Sequence, residues 1–347
     1  MRSHVVLGGV VAVVLGVLQM NGVTDGTVPL FHVGARYGFS EGEVPDLKGK
    51  RVLVTGASGG IGLATAQLLA RKRATVVGTA RSEAKCAATL EKLGGGECVV
   101  LELASLAKVK AAADRLKKKP FDYVILNAGL MAPPELSLSE DGLEEQFAVN
   151  YLAQFLLARE LAPTLKKGAR LVVVSSVAHY SSPPPETMLR AFTAKDHRGY
   201  APFPYYGWSK LCNVLMALDF PNHFPGVLAA SVHPGAVQSG LLQKYERKVP
   251  AALLDLVERS LLWTADTAAL SVVAPLFLPD ASLYYVPVAR PRPPSAYATN
   301  ASLAADLWAF SDTLLDRTLR QIQKDDDAAA SINDLLYNSK GGGKALG

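Results

Sequence analysis

Arg51–Thr55 is a short apolar run that leads into Thr55-Gly56-Ala57-Ser58-Gly59-Gly60-Ile61-Gly62, and Gly60–Arg71 then carries apolar residues at helical spacing through Ile61, Ala64, Leu68 and Leu69. An apolar run bounded by glycine suits a strand buried on both faces of a parallel sheet. Parallel neighbours need a crossover between them, and a helix packed on the sheet supplies it. The same alternation continues down the chain. Ala74–Ala80, Cys98–Leu103 and Phe121–Asn127 are the next expected strands, separated by helices over Glu83–Leu93 and Ala107–Lys118. A long helix follows over Glu144–Leu161, then a strand at Ala169–Ser175, a helix at Tyr206–Asp219, a strand at Val227–His233 and a last short strand at Leu283–Val286. The pattern predicts an α/β fold, a doubly wound parallel sheet with helices on both faces in a single domain.

In the first strand-to-helix turn, Gly56 permits the tight exit, Gly60 lets backbone approach a pyrophosphate, and Gly62 lets the helix pack closely. The helix N-terminus adds free N–H groups and partial positive charge, which favour phosphate. A dinucleotide cradle is the reading, although any tight strand-to-helix turn uses glycine. The second strand ends in Ala80-Arg81-Ser82, where the adenosine ribose of such a ligand would sit. An acidic residue there would hold a 2′-hydroxyl, whereas Arg81 suits a 2′-phosphate through charge-assisted bonds. NADP(H) is therefore favoured over NAD(H), a solvated arginine being the alternative.

Tyr206 and Lys210 lie four residues apart in Tyr206-Gly207-Trp208-Ser209-Lys210 and so share one helical face, which Tyr205 does not. A cation beside a phenol lowers its pKa toward working pH and makes it a usable general acid or base. Ser175-Ser176 ends the fifth strand at the carboxyl edge of the sheet, where a hydroxyl either bonds a substrate oxygen or caps the following turn. Asn127-Ala128-Gly129 ends the fourth strand at the same edge. Asn150 falls inside the next helix at a cost in propensity, so a water or a backbone bond is expected to compensate it.

Composition narrows the classes. The net charge is +5, but lysines are scattered, with short runs only at Lys117–Lys119 and Lys166–Lys167 and no basic stripe interleaved with aromatics, so no nucleic-acid partner is expected. Three widely spaced cysteines, Cys86, Cys98 and Cys212, exclude a disulfide framework, and the absence of a Cys/His cluster argues against any metal. Residues 5–20 are apolar or glycine except Gln19, and the stretch from Ser3 to Thr24 lacks Lys, Arg, Asp and Glu. Residues 1–24 are read as a membrane anchor in preference to a cleaved signal, because no clean small-x-small site follows. That reading places the protein on a membrane, the endoplasmic reticulum or another endomembrane. Residues 25–47 read as a linker, 48–318 as the catalytic domain, and 319–347, charged and then glycine-rich, as a disordered tail.

TGASGGIG (55–62), LNAG (126–129), VNYLAQF (149–155), VVVSSVAH (172–179), YGWSK (206–210) and HPGAVQSGLL (233–242) stand in the order and spacing of the short-chain dehydrogenase/reductase family. The sequence resembles that family over roughly 48–318. Ala80-Arg81, LELASL (101–106), Val177-Ala178-His179 and SKLCN (209–213) look like its retinol-dehydrogenase-like branch. The resemblance implies a Rossmann-type fold and a tetrad of Asn150, Ser176, Tyr206 and Lys210. Tyr206 would exchange a proton with the substrate oxygen, Ser176 would hold that oxygen, Lys210 would bind the nicotinamide ribose and depress the tyrosine pKa, and Asn150 would help hold a relay water. Cofactor contacts are implied for Gly56, Ser58, Gly60, Ile61, Gly62, Arg81, Glu102, Leu103, Asn127, Ala128, Gly129, Tyr206, Lys210, Pro234 and Gly235. The implied activity interconverts a hydroxyl and a carbonyl on a lipophilic small molecule, retinoid- or steroid-like. A non-catalytic cofactor-binding adaptor and a protochlorophyllide-reductase-like enzyme are the alternatives. The sequence departs from the family at Glu102, where an aspartate is usual, and at Tyr151-Leu152-Ala153-Gln154, where His-Leu-Gly-His is usual. The segment 181–204 lengthens the connection from Ser176 to Tyr206, as a lipophilic pocket wall or as a surface loop.

Overall fold

The expected strands form where the apolar runs lie: β1 (Arg51–Val54), β2 (Thr75–Ala80), β3 (Glu97–Val100), β4 (Tyr123–Leu126), β5 (Arg170–Val174), β6 (Leu228–Val232) and β7 (Tyr284–Val286). A two-residue strand, β8 (Arg290–Pro291), was not legible in the sequence. This computed structural model describes residues 38–194, 199–237, 262–279, 282–287 and 289–340. The segment read as an anchor, residues 25–37, residues 238–242 of the last motif and residues 341–347 lie outside them.

The strands make one sheet in the order β3-β2-β1-β4-β5-β6-β7-β8, parallel throughout except for the β7–β8 pair. Order reverses between β1 and β4, so the carboxyl ends of these two strands open a crevice of the kind that binds ligands in open α/β sheets. Side chains alternate across the sheet. Leu53, Val77, Val124, Leu126, Leu171 and Val173 face one buried layer, while Val52, Val54, Val76, Ile125, Val172 and Val174 face the other. Helices α1 (Gly60–Arg71) and α2 (Glu83–Leu93) follow β1 and β2, and α3 (Leu106–Leu116) follows β3.

Helix α4 covers Glu145–Phe147, a π-helical turn at Ala148–Leu152, and Ala153–Leu161. Then come α5 (Met188–Thr193), α6 (Pro202–His223), α7 (Ala265–Val273) and α8 (Ala301–Lys340). Helix α8 docks through Trp308, which stacks on His223 of α6 at 3.7 Å between ring centroids and meets Phe155 of α4 edge-on. Tyr151, one of the departures from the family pattern, shares a 2.8 Å hydrogen bond with Ser311 of α8.

Several expectations are corrected. The linker does not extend to residue 47, because Phe39, Val44 and Leu47 are buried in the layer that holds α1. The chain from 319 is helical through Lys340, and Gln321–Asp325 and Gln323–Asp327 pair one turn apart along it. Its alanines favour helix, a local preference that outweighs the charge run. Cys86 and Cys98 form a disulfide across 12 residues, which leaves Cys212 as the free thiol. Cysteine spacing hid this link because a helix folding back on the next strand brings distant positions together. The insertion is neither plain pocket wall nor plain loop: it contains α5, whose Met188 and Phe192 are fully buried, while Phe203 is exposed and Tyr205 buried. Among the described residues no helix is long and apolar enough to cross a membrane.

Candidate active site

The glycine turn is built as its residues require. Gly56 has φ +69° and Gly60 φ +54°, conformations that disfavour side chains. A Cβ on Gly62 would lie 2.3 Å from the Gly56 carbonyl oxygen, so this glycine serves close packing of the turn on itself. Nothing lies within 4 Å of a Cβ built on Gly60, which leaves that side of the turn open. Gly59 caps α1 without a side-chain acceptor, so the first N–H groups of the helix, at Gly60, Ile61 and Gly62, have no side-chain cap. Ser58 is half-buried on the same turn.

Arg81 is exposed at the end of β2, next to Ser82, whose hydroxyl accepts from the Lys85 amide at the start of α2. Glu102 turns back on its own loop, accepting from the Ala104 N–H at 3.1 Å, and Leu103 is buried. Asn127 donates through Nδ2 to the Thr55 carbonyl at 2.9 Å, fastening the end of β4 to the end of β1. A Cβ on Gly129 would sit 2.9 Å from Asn150 Oδ1 and 3.5 Å from Lys210 Nζ, so the turn after β4 runs directly beside two of the tetrad positions. Gly235, at φ +99°, faces the ring of Trp263, whose Cδ1 would lie 2.3 Å from an added Cβ. No sequence motif pointed to Trp263.

Asn150 lies in the π-helical turn, a distortion frequent at functional sites. Its amide has the expected backbone bonds and one to a side chain: Oδ1 accepts from Leu130 N–H at 2.8 Å, and Nδ2 donates to Leu130 O at 2.9 Å and to Ser209 Oγ at 3.0 Å. Of the two serines, Ser175 is committed to structure, donating to the Lys210 carbonyl at 2.7 Å. The Ser176 Oγ accepts from Ala178 N–H at 3.2 Å, which caps the next turn and leaves its proton to donate elsewhere. Behind it, His179 places Nδ1 2.7 Å from the Ser176 carbonyl and receives the Ser295 N–H on Nε2 at 3.1 Å. Since Nε2 accepts, the imidazole proton is on Nδ1 and donates to Ser176.

Lys210 is buried and donates from Nζ to the Val174 carbonyl at 3.0 Å. Its Nζ is 5.7 Å from the centroid of the half-buried Tyr206 ring. Burial pushes Lys210 down to about 8 and Tyr206 up to about 12, with Ser176 pulling the phenol the other way. The expected depression of the phenol by the lysine is thus not what this arrangement shows. Desolvation raises the phenol, and Nζ is turned onto the Val174 carbonyl instead.

Asn150, Ser176, Tyr206 and Lys210 therefore gather at the carboxyl edge of β4 and β5, beside the turn after β1. The donor chemistry fits a nicotinamide dinucleotide: an uncapped helix N-terminus for phosphate, a cationic side chain at the end of β2, and a buried ammonium with protons to spare beyond its bond to Val174. Arg81 and the Pro234-Gly235 turn lie at the ends of β2 and β6, also on the carboxyl edge. Among the described residues no group of His, Cys, Asp and Glu is placed to hold a metal.

Comparison with known proteins identifies relatives of the chain. A family model described as short chain dehydrogenase matches residues 50–187. A candidate daunorubicin C-13 ketoreductase, DnrU, from Streptomyces sp. (strain C5) is 31% identical over 82% of this chain and 98% of its own. The WW domain-containing oxidoreductase of Drosophila melanogaster is 29% identical over 80% of this chain and 71% of its own. A crystal structure of an uncharacterized protein from Mycobacterium paratuberculosis superposes with a TM-score of 0.66 at 29% identity, covering 80% of this chain and 98% of that one.

Proposed function

Since the chain belongs to the short-chain dehydrogenase family, whose members are oxidoreductases of hydroxyl and carbonyl groups, we propose that it reduces or forms a carbonyl on a lipophilic small molecule with NADP(H) as partner. The observation that carries this reading is the convergence of Asn150, Ser176, Tyr206 and Lys210 on one edge of the sheet beside the glycine turn. An adaptor that only bound cofactor would be free to lose any of the four. The ketoreductase relative supports a carbonyl substrate.

Bound nicotinamide would supply or accept the hydride. In this reading Ser176 donates its proton to the substrate oxygen, while its Oγ accepts from Ala178 N–H. Tyr206 holds the proton exchanged with that oxygen, and its burial keeps the phenol protonated and ready to donate. Lys210 holds the ribose hydroxyls with the protons that Val174 does not use. Asn150 keeps the turn after β4 in place from both sides of Leu130. Arg81 meets the 2′-phosphate, which sets the preference for NADP(H) over NAD(H). The apolar segment at 5–20 is assigned to a membrane, a supply of apolar substrate.

A panel of aldehydes and ketones, retinoid-, steroid- and polyketide-like, tests the reading by the loss of NADPH absorbance. Turnover with NADPH exceeding that with NADH is expected, with Arg81→Asp reversing the ratio. No turnover across the panel, despite measurable NADPH binding, would favour the adaptor.

A further inference from the structure

We propose that Gln154 is a positioning residue that ties the cofactor turn to Asn150, and that it replaces with one amide what the family's usual histidine cannot supply. The inference rests on the functional reading above for what the site does, and on hydrogen bonds alone for the link.

Gln154 is 1% exposed, on the face of α4 one turn beyond Asn150. Its Oε1 accepts from Thr55 Oγ1 at 2.8 Å. Its Nε2 donates to the Ala128 carbonyl at 2.8 Å and to the Asn150 carbonyl at 3.1 Å. The Thr55 hydroxyl accepts in turn from the amides of Asn127 at 2.9 Å and Ala128 at 3.0 Å. With both lone pairs of Thr55 engaged, its proton goes to Gln154 at 2.8 Å in preference to the Ile125 carbonyl at 3.5 Å. The orientation of the amide is therefore forced. Flipped, it would set its oxygen against two carbonyls and its N–H groups against a saturated hydroxyl.

The consequence is a single buried hub between three elements. Thr55 is the residue before Gly56 of the cradle, Asn127 and Ala128 end β4, and Asn150 carries its carbonyl from the π-helical turn. The π-helical turn shifts the backbone bonding from the α-helical pattern, as where the Ala153 N–H reaches Ala148 O, and Asn150 lies within it. Gln154 bonds the Asn150 carbonyl. An imidazole has two ring nitrogens, one donor and one acceptor when neutral, so it satisfies at most two of these three bonds. Closing the β1 and β4 turns around a dinucleotide thus sets the Asn150 backbone through the same amide, and a shift at either end is felt at the other.

The test compares Gln154→Met, which keeps volume and loses all three bonds, with Gln154→Glu and Gln154→His. NADPH affinity is read by fluorescence titration, melting temperature by circular dichroism, and kcat, KM and the solvent isotope effect by turnover. For both Gln154→Met and Gln154→Glu the expected result is weaker NADPH binding by about tenfold, and a kcat lower by about 10²-fold with KM for the carbonyl altered far less. Gln154→His is expected to fall between these and the parent. Variants that melt earlier yet bind NADPH and turn over like the parent would show that Gln154 only fills space, and would overturn the proposal. If Gln154→Met does not fold, the isosteric Gln154→Glu decides by the same two readouts. A parent protein without turnover would count against the functional reading, while the NADPH titration would still decide the role of Gln154.

Discussion

At Ser176 the main chain is gripped by an imidazole that also holds the segment after β8. His179 is fully buried, and burial lowers its pKa to about 4 from 6.5. Protonation would replace the acceptor at Nε2 with a donor aimed at the Ser295 amide. The unfolded chain binds a proton on this residue below about pH 6.5, whereas the folded one does so only near pH 4. Stability from this site is therefore complete above pH 6.5 and falls as pH drops toward 4, by about 3 kcal/mol in all. Urea denaturation between pH 4 and 7 measures the slope, and His179→Asn is expected to flatten it. An unchanged slope in that variant would place the proton uptake elsewhere. Ser176, Tyr206, Lys210 and Asn150 were legible as residues because each belongs to a short motif. Gln154 and His179 stood inside motifs, but their bonds to Thr55, Ala128 and Ser295 were not legible, because those partners are far away in sequence, and Trp263 belonged to no motif.

Among the elements, the pairing of short apolar runs with glycine turns announced the strands and their crossover helices. What stayed hidden depends on tertiary packing. Helix α5 is too short to show a period and forms because Met188 and Phe192 are buried. Helix α8 was not read as an element, and its first part is held by Trp308 and Ser311 against α6 and α4. The expected strand ended three residues later, at Leu103, than the observed end of β3 at Val100, because pairing with β2 stops there. The Cys86–Cys98 link fastens α2, which follows the proposed 2′-phosphate site, to the edge strand β3. Closing a loop of 12 residues in the unfolded chain is worth about 3 kcal/mol on the loop-entropy model. Cys98→Ala is expected to lower stability by about that amount in non-reducing buffer and to remove the effect of added dithiothreitol. Equal stability of variant and parent would mean that the link contributes nothing.

For the whole molecule, one doubly wound sheet accounts for the chain from Phe39 to the docked part of α8, so the length does not call for two domains. Most of the fold was legible, because hydrophobic periodicity and glycine position carry it. The sheet order, the π-helical turn and the buried amide hub required coordinates. Residues 1–24 are proposed as a membrane attachment, and their deletion is expected to move the protein from the membrane pellet to the supernatant. An unchanged distribution would remove that assignment. The central claim is that the four gathered residues form a working active site in which Tyr206 moves the proton. The most direct measurement is single-turnover NADPH oxidation by Tyr206→Phe with the best carbonyl of the panel, beside NADPH titration of the same variant. The account predicts a rate lower by about 10²–10⁴-fold, with NADPH affinity close to that of the parent. A rate near the parent's, with cofactor bound, would contradict it.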